Sequence, residues 1–476
     1  MQASAAIPYR VLSLDGGGTW AVIQIKTLIK LFGANVSGHQ VLAKFDLAVA
    51  NSGGSVILAC LALDKPLCDI LDLYLDGKKR RSTFESTAFE RVIEDLGHGK
   101  LPYPRYSTKK KLAGLREHLG PRSEATLLSR WHAENPGLGH LVITAFDYDT
   151  ERAAFFRTNV DSLAASEPRS AGPDVSLLDA VQASTTAPVV FYDEPAHAKI
   201  YPQGVARRYW DGAFAGYNNP AMVAVVEALA QRQADHAGGG SPNVPREALP
   251  PPIRILSIGT GTVHRPRKPS KVPADDPRFM GGGKAGLLRD LQKATAAIVD
   301  DPPDSASFLA HVTLGGALPR GSAVVSDGPI VRMSPVVRPL FDGQDWAWPR
   351  GLGDPAALEV QQKWAQLTNL GLDALADDEM KLLIALCDAW HADGAPNQPI
   401  RARDDTLDAE VGDDNFSSAE RSARELLGCT QRHLRAAEAG SIESGDDVGI
   451  RLHDARSSET ELGRKHPVGN GKIRAD

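Results

Sequence analysis

Cysteine is scarce. Four residues, Cys60, Cys68, Cys387 and Cys429, are scattered through 476 positions, which excludes a disulfide framework and the paired spacing of a zinc site. Long apolar runs are missing too, so no segment reads as a membrane span. The opening MQASAAIPYRVLSL has no basic stretch followed by a long apolar one, so no Sec-type leader is expected. Positive charge is not in excess: 53 Lys and Arg stand against 59 Asp and Glu, a net −6, which leaves no general attraction to nucleic acid or anionic lipid. These absences point to a reducing, cytoplasmic setting, with export by a route that leaves no leader still open.

What is present is an α/β pattern. Phe45 to Ala62, FDLAVANSGGSVILACLA, is an apolar run of strand length, a sharp turn at Asn51-Ser52-Gly53-Gly54, and a helix apolar on every side. A serine at such a tip is exposed at the carboxyl end of a strand, beside the amides of the following helix. Ser52 is therefore the candidate nucleophile, with Asn51, Gly53 and Gly54 as support for the elbow. Ala50 stands where the pattern G-x-S-x-G has its first glycine.

Two further turns carry chemistry. Tyr9 to Leu14 is a strand that runs into Asp15-Gly16-Gly17-Gly18 and then a helix; three glycines let backbone N–H groups converge on a phosphate or an oxyanion. The lysine of a P-loop and the spacing of a dinucleotide site are both missing. Arg207 to Ala221, RRYWDGAFAGYNNPA, places Asp211 where an apolar strand ends in a tight turn, an environment that raises a carboxylate's pKa or forces it to find a partner. Asn219 is the expected cap of the helix that follows.

Other strands are expected at LVITAFD from Leu141, RAAFFRT from Arg152, IRILSI from Ile253 and IVRM from Ile330. VSLLDAVQASTTA from Val175 reads as a helix ending before Pro188. The clusters Lys78-Lys79-Arg80-Arg81 and Lys109-Lys110-Lys111 read as solvated faces, with contact to a lipid headgroup as the alternative. Past Ala395 the chain turns polar, with one helix expected over about 417–439 from a capping box at Ser417-x-x-Glu420 and a disordered tail beyond.

The order D-G-G-G, serine elbow, D-G-A resembles the patatin-like phospholipase family, with FDYDT, VQASTTAPVVF and ILSIGTG in support. The resemblance covers about residues 8–335. It departs at Ala50 and at Trp20, where the family often has arginine or lysine. It implies a three-layer α/β/α sandwich with a mostly parallel central sheet and a nucleophile elbow, in a catalytic domain over 8–390 followed by an extension over 391–476. It also implies a Ser52–Asp211 dyad with no histidine, an oxyanion hole of Gly16, Gly17 and Gly18, and no metal or other cofactor. The implied substrate is a phospholipid or other acyl lipid met in transient contact with a membrane surface; no nucleic-acid partner is implied, and the oligomeric state is open. Asp15 then reads as a structural residue of its turn. Two other readings are a patatin-like fold kept as a binding or regulatory module, and an α/β-hydrolase with a Ser-His-Asp triad.

Overall fold

Alternation along the short apolar strands sorts their side chains onto two faces, and this builds the layers. In the computed structural model the described residues are 7–84, 106–158, 174–188, 191–237, 252–263, 302–318, 328–341, 346–402 and 410–428. The strands are β1 (Tyr9–Leu14), β2 (Leu47–Ala50), β3 (His140–Asp147), β4 (Arg152–Arg157), β5 (Ala196–Ile200), β6 (Val205–Asp211), β7 (Ile253–Ile258) and β8 (Ile330–Met333). They form one sheet in the order β5-β6-β3-β2-β1-β7-β8, with β4 also paired to β3. The pairings β1–β2, β1–β7, β2–β3 and β7–β8 are parallel; β4, β5 and β6 run antiparallel to their neighbours. The sheet is thus mixed and mostly parallel, as expected of the family.

Leu12, Leu14, Ala48 and Ala50 point into one core with helices α1 (Val22–Phe32), α2 (Ser52–Ala62) and α4 (Leu177–Ser184). Val11, Leu47, Val49 and Val142 point into a second core on the other face, under α5 (Ala221–Ala237). Strands buried on both faces read as continuous apolar runs, which is why LAVA carries no polar residue. Between β2 and β3 lies α3 (Thr108–Leu119), packed on α4. After β8 come α6 (Asp377–His391) and α7 (Phe416–Leu426).

The compact unit runs to Gly428, past the expected domain end at 390. The reason is partly polar and partly apolar: Asn397 accepts from Ser334 N–H at 3.0 Å and donates to the Arg332 carbonyl at 2.9 Å, while α7 packs against β7 and β8 and buries Phe416, Ala419, Ala423 and Leu426 in the core. The expected capping box is displaced. Asn415 caps α7 by accepting from Ser418 N–H at 2.9 Å, while Ser417 bonds Asp393 and Glu420 pairs with Arg424 at 2.6 Å. The rest of the helix expected to reach 439, from 429 on, lies outside the described residues. No helix of the described residues is long and apolar enough to cross a membrane.

Candidate active site

Parallel register brings the first two turns together. Leu14 is level with Ala50 and with Ile258, so the glycine turn, the elbow and the Gly259 turn leave the sheet side by side. The antiparallel β6 descends on β3 until Asp211 lies opposite Ala145, two residues past the level of the elbow.

At the elbow Ser52 takes φ 46°, the left-handed region, a strain of about 1–3 kcal/mol that the surrounding packing must hold. Its N–H donates to Ser184 Oγ at 2.8 Å, a partner from the end of α4. Ala50, where the pattern has glycine, is fully buried in β2 and paired to Leu14 and Ile143, so the strand runs regularly up to the turn. Gly54 cannot take a side chain: a Cβ there would stand 2.6 Å from the Asp15 carbonyl and 2.7 Å from that of Leu14. This close approach of α2 to the end of β1 presses the elbow against the glycine turn.

The Asp211 carboxylate is 3 % exposed. It accepts from Asn51 Nδ2 at 3.1 Å and from Ala213 N–H at 2.9 Å through Oδ1, and lines the same pocket as Ser52. Asn51 is held in turn by Thr144, whose hydroxyl donates to it at 2.6 Å. Burial pushes the Asp211 pKa above the ordinary carboxylate value, while the nearby Ser52 hydroxyl, the bonds from Ala213 and Asn51 and the charge of Lys111 pull it back. A base poised in this way can accept a proton near its partner hydroxyl.

The three glycines divide. Gly16 N–H donates to the Asn218 carbonyl at 2.8 Å, so it is spent within the fold. Gly17 and Gly18 line a pocket open to solvent together with Ser52, Gly53 and Asp211. Of the three glycines expected as oxyanion donors, Gly16 therefore has its N–H engaged by the turn after β6. The pocket walls are mainly aromatic and apolar, with Tyr106, Phe191, Tyr192 and Phe214 among them. Trp20 is buried, and its Nε1 donates to the Gly371 carbonyl at 2.9 Å, next to Leu372 and Asp373 of the rim.

Sequence reasoning missed three supports. Asp15 meets Arg332 Nη2 at 2.6 Å, both nearly fully buried, and burial still holds Asp15 above the usual carboxylate range. Each basic cluster has one member turned inward, contrary to the expected solvated faces. Arg80 is fully buried, with Nη2 bonding the Leu375 carbonyl at 2.9 Å and Asp377 at 2.6 Å. Lys111 is 1 % exposed and bonds Gln182, Thr185 and Thr186 beneath the pocket. Lys111 falls at the helical positions that face α4, with buried Leu115 one turn on, and only that periodicity could have marked it. Among the described residues no group of three or more His, Cys, Asp or Glu side chains converges.

Residues 12–225 match the family model for patatin-like phospholipase. The chain is 33% identical over 104 residues to an intracellular phospholipase A2 of Caenorhabditis elegans; the matched segment is 20% of this chain and spans 10% of that protein. Among solved structures, VipD from Legionella pneumophila is similar at 12% identity and a TM-score of 0.27, over 93% of this chain and 78% of that one. The ExoU–SpcU complex from the type III secretion system of Pseudomonas aeruginosa is similar at 16% identity and a TM-score of 0.22, over 40% and 38%.

Proposed function

We propose, from the match of residues 12–225 to the patatin-like phospholipase family model, that the protein is a lipid acyl hydrolase acting through Ser52 and Asp211. The observation that carries the reading is that Ser52, at φ 46° on the elbow, and the buried carboxylate of Asp211 line the same largely apolar pocket. Ser52 Oγ attacks the ester carbonyl carbon as Asp211 takes the hydroxyl proton. The tetrahedral oxyanion is met by the N–H groups at Gly17 and Gly18, each worth on the order of 10² to 10³ in rate. Asp211 returns the proton to the departing alcohol as the intermediate collapses to an acyl-serine. Water, losing its proton to Asp211, attacks that ester; the fatty acid leaves and Ser52 recovers its proton.

Asn51 has the task of holding Asp211 towards the serine. The apolar walls suit a fatty-acyl chain, and Phe214, which lines the pocket and is 43 % exposed, would meet a bilayer surface during transient contact. The test is fatty-acid release from mixed phospholipid vesicles without calcium, comparing the parent with Ser52→Ala and Asp211→Asn, each confirmed folded. Release by the parent and loss of at least a hundredfold in both variants is the expected result. Equal rates in all three on vesicles and on short-chain esters would sink it and favour a binding module.

A further inference from the structure

Lys111 of α3 is 1 % exposed, and the acceptors around its Nζ are arranged for a cation. Its Nζ contacts the Gln182 carbonyl at 3.1 Å, Thr185 Oγ1 at 3.1 Å and Thr186 Oγ1, and stands 4.2 Å from the centre of the Tyr192 ring. Both threonine hydroxyls have spent their single hydrogen. Thr185 donates to the Val181 carbonyl at 2.8 Å and Thr186 to the Gln182 carbonyl at 2.6 Å. Each can therefore only accept from the lysine. Three contacts that all need a donated hydrogen match the three N–H groups of an ammonium; a neutral amine has two and would leave one contact as lone pair against lone pair.

An ammonium so placed needs a counter-charge, and the one coupled to it is Asp211. The link is also mechanical, since Asp211 N–H donates at 2.7 Å to the carbonyl of Thr186, the residue whose hydroxyl Lys111 holds. We propose that Lys111 is a positioning residue of the active site: a buried ammonium that keeps the Asp211 carboxylate ionised, and so able to act as a base, while fixing the strand end that carries it. This rests on the Ser52–Asp211 reading above. Burial pulls the lysine strongly towards its neutral form; the three acceptors, the Tyr192 face and the Asp211 charge oppose it.

The other groups around the pair are few. Asp211 is faced by the Ser52 hydroxyl, the Asn51 amide, Ala213 N–H and the Tyr192 phenol, which burial keeps neutral. Near Lys111 on its own helix, Lys109 pairs with Glu194 at 3.5 Å and Thr108 N–H bonds Asp193 at 2.9 Å. Asp373 also acts on Tyr192. Removing the ammonium therefore removes the cation that favours ionised Asp211.

The experiment is the pH profile of kcat/KM on a soluble short-chain ester for the parent, Lys111→Met, Lys111→Gln and Thr185→Val, with thermal melts to confirm folding. The acid limb is expected to move to higher pH by about one unit or more in the two Lys111 variants, a tenfold loss of rate at pH values below the limb. Thr185→Val, which keeps the lysine but removes one acceptor, is expected to move it the same way by less, and it serves as the readout if neither Lys111 variant folds. A limb unmoved in the folded variants overturns the proposal, whatever happens to the maximal rate. Failure of the underlying reading looks different: Ser52→Ala then keeps the parent's turnover, and Asp211→Asn keeps the acid limb.

Discussion

Replacing Arg332 with methionine isolates what the buried ion pair behind the glycine turn does. Arg332 Nη2 meets Asp15 Oδ2 at 2.6 Å, Nη1 meets Ser257 Oγ at 2.8 Å, and Gln398 lies 3.0 Å away. Among the described residues the other Asp15 oxygen has no hydrogen-bond partner, so the guanidinium is the main compensation for burying that charge. Breaking a buried pair by removing one member costs about 3–5 kcal/mol, because the remaining charge is uncompensated. The pH dependence has a definite sign. Burial already holds Asp15 above its ordinary 3.8 in the native state, and Arg332 opposes that by charge and hydrogen bond. Without Arg332 the folded value climbs further. Between 3.8 and the folded value the native state holds a proton that the unfolded state has lost, so stability is kept at acid pH and falls as pH rises through that window, by up to about 1.4 kcal/mol per unit. Urea unfolding of the parent and Arg332→Met at pH 5 and pH 7.5 should show the larger deficit at pH 7.5. Asp15→Asn combined with Arg332→Met should recover at least about 2 kcal/mol there, since no buried charge remains. An equal deficit at both pH values, or a double variant no better than the single one, refutes the reasoning.

Ser52→Gly should abolish turnover and yet leave the protein as stable as the parent or up to about 1 kcal/mol more so, because glycine adopts φ 46° without strain; chemical denaturation checks this, and a clear loss of stability would deny that the elbow is strained. Gly54→Ala, by contrast, forces a methyl group to 2.6 Å from a backbone carbonyl and should cost about 1–3 kcal/mol in the same assay. Trp20→Phe removes the donor to the Gly371 carbonyl and frees the rim segment carrying Leu372 and Asp373. The expected kinetic result is a raised KM with kcat within a few-fold of the parent, and a fall in kcat alone would place Trp20 in the chemistry instead.

The layer order was legible because the sheet's central strands are short apolar runs and their turns use distinctive residues. LAVA before Asn-Ser-Gly-Gly, and LSL before Asp-Gly-Gly-Gly, have few local alternatives, so period and turn chemistry locate the elbow and the glycine turn with no knowledge of the fold. Asp211 was legible as an acid before Gly-Ala at a strand end, although that strand, VARRYWD, is exposed over its first four residues and not the apolar one expected. Local pattern alone fixes which residues sit at strand ends. It does not fix which strand ends lie next to one another.

That second question belonged to the tertiary structure, and every correction to the site follows from it. The basic cluster Lys109-Lys110-Lys111 is hydrophilic in any window, and only the packing of α3 on α4 turns Lys111 inward to the threonines while Lys110 stays in water. Gly16 carries the same residue type as its neighbours and differs because the turn after β6 puts the Asn218 carbonyl against its N–H. Asp15 and Arg332 are separated by more than 300 residues, and no period connects them. Sequence determined the local turns because their energetics are short-ranged, set by φ, ψ and the next few side chains. Charge pairs, spent donors and the domain's reach to Gly428 depended on which distant segments the two cores brought into contact.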